Sequence, residues 1–150
     1  MLSTPKNIAA STQESDLVVG AVLIKGTRAP KVVTEEMICQ MQPGAVVVDV
    51  SIDQGGCIET SRPTSHADPV FVKHHVVHYC VTNMPGAYPR TSTFALTRVT
   101  LGYIELLANE GVEAFLKTPN LRRAINVYQG RIVYKAIAKD LALMDYYQAL

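Results

Sequence analysis

The stretch Val46-Val47-Val48-Asp49-Val50-Ser51-Ile52-Asp53-Gln54-Gly55-Gly56 runs from an apolar segment into an acid and then a glycine pair. A buried strand that ends in this way delivers a carboxylate to the carboxyl edge of a sheet, where ligands of open α/β sheets bind. Asp53 is therefore placed where a cofactor or substrate would lie. Gly55 and Gly56 permit close backbone approach, either to a ligand or to a neighbouring segment. A capping aspartate in a tight turn accounts for the same spacing equally well. Asp49, two positions from Val47 and from Ser51, lies within the strand and reads as a hydrogen-bonded structural carboxylate. Asn83-Met84-Pro85-Gly86 closes a later apolar run and falls on the same edge. There Met84 is either a contact for a flat ring or core filler.

The other reactive side chains assemble into nothing. His74 and His75 fall in a polar loop, His78 falls within a strand and His66 is a solvated loop residue, with no partner nearby for acid/base or metal work. Cys39, Cys57 and Cys80 form no Cys-x-x-Cys pair and favour neither a disulfide framework nor a zinc site. Cys39 and Cys80 lie in apolar runs and read as small packed hydrophobes. Cys57, beside the glycine pair, has no neighbour in sequence that would activate a thiol.

The elements that must position these residues follow from pattern. Ser3-Thr4-Pro5 opens a short helix ending near Glu14. Leu17 to Ile24 is an apolar run that suits a strand covered on both faces, and Lys25 to Pro30 reads as a loop. Thr34 caps a helix with Glu35 and Glu36 in its first turn, and Gln42-Pro43-Gly44 stops it. Ala45 to Ser51 is a second strand, and Val76 to Val81 a third after a polar loop. Strands separated by helical segments imply a parallel sheet. Thr91 to about Asn109 has helical spacing, with Gly111 just past its end. Gln129-Gly130 is the turn of a hairpin between Ile125 to Tyr128 and Arg131 to Tyr134, and Lys135 to about Tyr147 is a closing helix. The fold class is α/β, with three strands that form half of a doubly wound sheet. A Gly-x-Gly-x-x-Gly turn occurs nowhere in the 150 residues.

Composition narrows the class. Of the residues 48% are hydrophobic and the formal net charge is +1, without a basic stripe suited to nucleic acid. The mean hydropathy of +0.13 argues against disorder. No apolar stretch reaches the roughly 18 residues of a membrane span, and the N-terminus lacks the regions of a signal peptide, so a cytoplasmic protein is expected, with neither nucleic acid nor membrane as partner.

Four segments then carry a resemblance: Val48 to Cys57, Glu59 to Thr64, His78 to Ala87 and Pro89 to Thr97 closely resemble alanine dehydrogenase, in the family's order. The likeness runs from about Asn7 to Leu141 and includes Val19 to Leu23 and Tyr134-Lys135-Ala136. It implies NAD-dependent oxidative deamination of L-alanine to pyruvate and ammonia. It places the catalytic aspartate, which handles protons as the iminium intermediate forms and is hydrolysed, at Asp53. It also places cofactor contacts at Val22, Leu23, Val50, Ser51, Ile52, Asp53, Val81, Thr82, Asn83 and Met84, with no metal. By the same resemblance, residues 1–90 are the trailing half of a Rossmann-type NAD-binding domain. Residues 91–150 are then a linking helix and a hairpin remnant of the substrate domain.

The departures shape the expectation equally. The family's catalytic histidine, its carboxylate-binding lysine and arginine, the glycine-rich turn and the ribose acid are not matched by any residue here. Ser51 stands where the family usually has alanine. The chain thus reads as the C-terminal portion of the enzyme, inactive and weak in NAD binding alone, with a homo-oligomer or a complementing N-terminal fragment as partner. Met1 reads as an internal position of a longer ancestor. A non-catalytic assembly module remains an alternative. The NAD-binding component of a transhydrogenase is disfavoured by Ile52-Asp53 and Arg62-Pro63-Thr64, which follow the dehydrogenase pattern.

Overall fold

The computed structural model describes residues 2–150. They form two compact units, one running to Ile24 and resuming over Arg28–Ala87, the other made of Lys25–Thr27 and Tyr88–Leu150.

In the first unit Thr4 caps α1 (Pro5–Gln13), its Oγ1 accepting the Asn7 N–H at 3.2 Å. Thr34 likewise caps α2 (Glu35–Cys39), whose first turn carries Glu35 and Glu36. Four strands, β1 (Leu17–Gly20), β2 (Val46–Asp49), β3 (Val70–Lys73) and β4 (Val76–Tyr79), make one sheet in the order β1-β2-β4-β3. β1, β2 and β4 are mutually parallel, in register Leu17 to Val46 and Val46 to Val77, whereas β3 is antiparallel to β4. Period-2 alternation sends Val47 and Val76 into a core with Val33, Ile38, Met41 and Ile58. Each fully buried aliphatic side chain there stabilises the unit by about 1.5 to 3 kcal/mol.

Several expectations are corrected. The run from Leu17 to Ile24 is a strand only to Gly20, and Leu17 and Val19 are each 57% exposed instead of covered. The reason is position: β1 is an edge strand, paired with β2 alone among the described residues. The second strand ends at Asp49, not Ser51, because the Asp49 carboxylate captures the Ser51 N–H and starts a 3-10 turn, Val50–Gln54. The polar loop before the third strand contains β3, and His74 and His75 make the hairpin turn at φ 52° and 63°. Two-residue hairpins want such left-handed pairs, ordinarily Asn-Gly, so the histidines hid the signal. Cys39 is exposed at the end of α2, while Cys57 and Cys80 are buried.

The second unit contains α3 (Pro89–Glu110), α4 (Val112–Lys117), α5 (Pro119–Arg122), the hairpin β5 (Val127–Tyr128) and β6 (Arg131–Ile132), and α6 (Lys135–Asp140). The closing helix stops well short of Tyr147. Leu143 N–H returns to Ala138 O and Ala142 N–H to Lys139 O, a Schellman closure with Ala142 at φ 55° in the place glycine usually takes. None of the 22 residues of α3 is buried, and Phe94, Leu96, Val99 and Ile104 are each about 60% exposed or more.

Candidate functional site at the carboxyl edge of the sheet

Three segments leave the carboxyl ends of the parallel strands: residues 21–24 after β1, the 3-10 turn after β2, and residues 80–84 after β4. The middle one is built around a buried anion. Asp49 has no exposed surface, and its carboxylate accepts the N–H groups of Ser51 at 3.1 Å, Cys57 at 2.9 Å and Ile58 at 3.0 Å. Main-chain dipoles thus replace a counter-ion, which is how a carboxylate is tolerated in a core. The turn closes through Gly55 N–H to Ile52 O at 3.0 Å and Gly56 N–H to Ser51 O at 2.9 Å. Gly56 has φ +75°, and an added Cβ would fall 2.8 Å from Asp49 Oδ2. Its small size therefore serves a neighbouring segment. Gly55, at φ +90°, has no atom nearer than 3.9 Å to that position.

This turn presents Asp53 to solvent, with the Asn83 N–H at 3.2 Å from each carboxylate oxygen. Asn83 reaches it from a left-handed conformation, φ 52°, and its carbonyl accepts the Nε2–H of His66 at 3.2 Å. Thr64 N–H to Cys80 O and Thr82 N–H to Thr64 O brace the approach to Asn83. On the other side Ser51 ties the turn to the segment after β1: its Oγ accepts the Val22 N–H at 2.7 Å and donates to Val22 O at 2.9 Å.

Among the residues singled out from sequence, direct hydrogen bonds thus join Val22 to Ser51 and Asp53 to Asn83. Leu23 and Val50 are exposed, as is Thr82, and Met84 is half-buried. Ser51, Ile52 and Val81 are buried and present almost no surface to a ligand. Sequence reasoning missed Lys31, whose ammonium donates to the carbonyls of Gly55 at 2.7 Å, Gly56 at 2.9 Å and Ile58 at 3.3 Å. Nothing in the pattern Ala29-Pro30-Lys31 announces it.

The remaining reactive groups are accounted for structurally. Burial pushes the Cys57 and Cys80 thiols up. His78 is buried between a hydroxyl and a carbonyl: Nδ1 donates to Val76 O at 2.9 Å, so Nε2 accepts from Thr60 Oγ1 at 2.7 Å. Its ring stacks on Phe71 at 4.7 Å, with the Arg62 guanidinium 4.2 Å from the Phe71 centroid. Desolvation holds the imidazole below its ordinary range. No group of three or more metal-ligating side chains occurs among the described residues.

Comparison with known proteins gives concordant matches. A family model described as "Alanine dehydrogenase/PNT, C-terminal domain" matches residues 1–135. The chain is 57% identical over 145 residues to the alanine dehydrogenase of Lysinibacillus sphaericus, covering 95% of this chain and 39% of that protein. With the alanine dehydrogenase of Bacillus subtilis it shares 52% over 143 residues, 94% of this chain and 38% of that one. A solved L-alanine dehydrogenase superposes with a TM-score of 0.75 at 44% identity, over 93% of this chain and 38% of that one. The crystal structure of transhydrogenase from Sinorhizobium meliloti gives 0.63 at 28% identity, over 74% and 32%. The chain therefore spans about two fifths of the curated relatives it matches.

Proposed function

Given that the chain belongs to the alanine dehydrogenase/PNT C-terminal domain family, we propose that it supplies the aspartate-bearing part of an NAD-dependent L-alanine dehydrogenase site. The observation that carries this reading is Asp53: an exposed carboxylate on the strand-end turn, oriented by the Asn83 N–H. Residues 1–90 act as the trailing half of the nucleotide domain and residues 91–150 as part of the substrate domain. Identities of 57% and 52% to dehydrogenases, against 28% to the transhydrogenase, favour the deamination chemistry. No helix among the described residues is long and apolar enough to cross a membrane.

The residues present fit one end of a dinucleotide. Exposed Leu23 and Val50 and half-buried Met84 offer apolar surface, and the 3-10 turn offers main-chain edges. NAD held there would supply the acceptor for the hydride of the α-carbon. Asp53 takes a proton from the amine and releases it to solvent, then takes one from the attacking water and returns it to the departing nitrogen, while Asn83 keeps its carboxylate oriented. Ser51 holds Val22 at the same edge. The glycine turn for the pyrophosphate and the cations for the substrate carboxylate come from another segment, either a complementing chain or further protein. The outer edge of parallel β1, unpaired among the described residues, supports a strand docking beside it, in a groove lined by Ile8, Thr12, Leu17 and Val19. The exposed apolar α3 supports oligomer contacts.

The experiment mixes the purified chain with the N-terminal part of the Bacillus subtilis relative and follows NADH formation from L-alanine. Turnover by the mixture, absent from either part alone, is expected. A well-folded mixture without turnover would leave the chain as a non-catalytic assembly module.

A further inference from the structure

The Gly56–Cys57 peptide is held at both ends by charge. Its N–H donates to Asp49 Oδ2 at 2.9 Å, and its carbonyl accepts from Lys31 Nζ at 2.9 Å. One peptide dipole therefore lies between a fully buried carboxylate and an ammonium, each at the end it attracts. Lys31 also takes the carbonyls of Gly55 and Ile58, while Asp49 takes the N–H groups of Ser51 and Ile58. Residues 29–33 run beside residues 54–59, with Ala29 N–H on Gln54 O and Val32 N–H on Cys57 O, but Pro30 between them has no N–H to give. The two glycine carbonyls that this zipper skips are among the three that the ammonium collects.

From this geometry we infer that Lys31 is a positioning residue for Asp53. Clamping the glycine carbonyls fixes the closing end of the 3-10 turn, and that turn aims the Asp53 carboxylate at the Asn83 N–H. Lys31 makes no contact with the reacting atoms in this scheme. It acts through the turn, and the inference rests on the reading of Asp53 as the catalytic acid/base.

Two variants of the full chain separate this from general stabilisation. Lys31→Met keeps length and removes every donor, whereas Lys31→Arg keeps charge and donors. Amide exchange by NMR is read at Asn83, whose N–H touches Asp53 and not Lys31, and at Val47 in the core strand. Lys31→Met should speed exchange at Asn83 about tenfold, the change expected for a lost charge-assisted hydrogen bond. Val47 should stay unchanged, and Lys31→Arg should restore most of the protection at Asn83. In the complemented assembly Lys31→Met should lower kcat about tenfold with KM for NAD within about twofold, again recovered by Lys31→Arg. Unchanged exchange at Asn83, equal acceleration at Val47, or altered exchange with normal kcat would each overturn the assignment. If the wild-type assembly fails to turn over alanine, the functional reading of Asp53 falls, and the exchange data alone decide whether Lys31 holds its turn.

Discussion

The Asn83 N–H stands 3.2 Å from both carboxylate oxygens of Asp53, a symmetric contact between segments leaving two adjacent parallel strands. It joins β2's turn to β4's exit and leaves the carboxylate open to solvent. Replacing Asp53 by Asn preserves shape and an acceptor for Asn83 but removes basicity. In the complemented assembly Asp53→Asn should lower kcat by about 10² to 10⁴, the usual worth of general acid/base assistance, with little change in KM for NAD. Steady-state kinetics at saturating alanine decides it, and near-normal kcat would reduce Asp53 to a turn-capping residue. Asp49→Asn should instead lower the melting temperature, because Asp49 serves three main-chain donors in the core.

Ser51 bridges to Val22 with two hydrogen bonds at 2.7 and 2.9 Å. Ser51→Ala leaves the partly buried Val22 N–H without that acceptor and should cost about 1 to 3 kcal/mol by urea unfolding. The Val22 amide resonance should move more than any in β4. A loss below about 0.3 kcal/mol would mean the segment after β1 finds other partners.

The glycine pair is not interchangeable. Gly55→Ala meets only left-handed strain and should cost about 1 kcal/mol. Gly56→Ala adds to that strain a Cβ at 2.8 Å from the buried Asp49 carboxylate. It should cost at least about twice as much, since the acid must move or lose a donor. Thermal unfolding of the two variants side by side tests the order, and a reversal would mean the Asp49 cradle yields.

His78 gives the fold a pH dependence with a definite sign. Desolvation, the largest cause, lowers its pKa from 6.5, with Lys73 and His74 adding smaller pushes and the Val76 carbonyl opposing them. Above the unfolded value both states are neutral and nothing is lost. As pH falls below about 6.5 the unfolded chain binds a proton that the folded one resists, so stability declines toward acid. Urea midpoints at pH 8, 7, 6 and 5 should fall over the lower half of that range. In His78→Asn the decline should flatten. Glu35 acts lower: its carboxyl is held down by hydrogen bonds from Lys73 and then His74, and that support is lost only as pH drops through the acid range.

The parallel sheet was legible because β2 and β4 alternate or run apolar and end in acid, glycine or asparagine, signals that local chemistry makes unambiguous. The position of Asp53 at the edge was legible for the same reason: a strand end defines an edge. β3 was not, because its turn uses His74 and His75 where asparagine and glycine would have announced it. The end of α6 was hidden likewise by Ala142 in a glycine conformation. Lys31 and Thr60 were beyond reach, since their roles depend on segments 18 to 27 residues away whose approach only the folded chain reveals.

The exposure of α3 has a consequence for the fate of the chain in a cell. Thr97 and Thr100 turn their hydroxyls back onto the carbonyls of Thr93 and Leu96, and Gly102 adds nothing to helix propensity. With no buried side chain of its own, this helix draws no stability from a packed face and should fray unless another surface covers it. Proteases and holdase chaperones, which read transient apolar segments, would then meet it first, making its covering the checkpoint between persistence and turnover. Limited proteolysis should cut within residues 94–107 before it reaches the sheet.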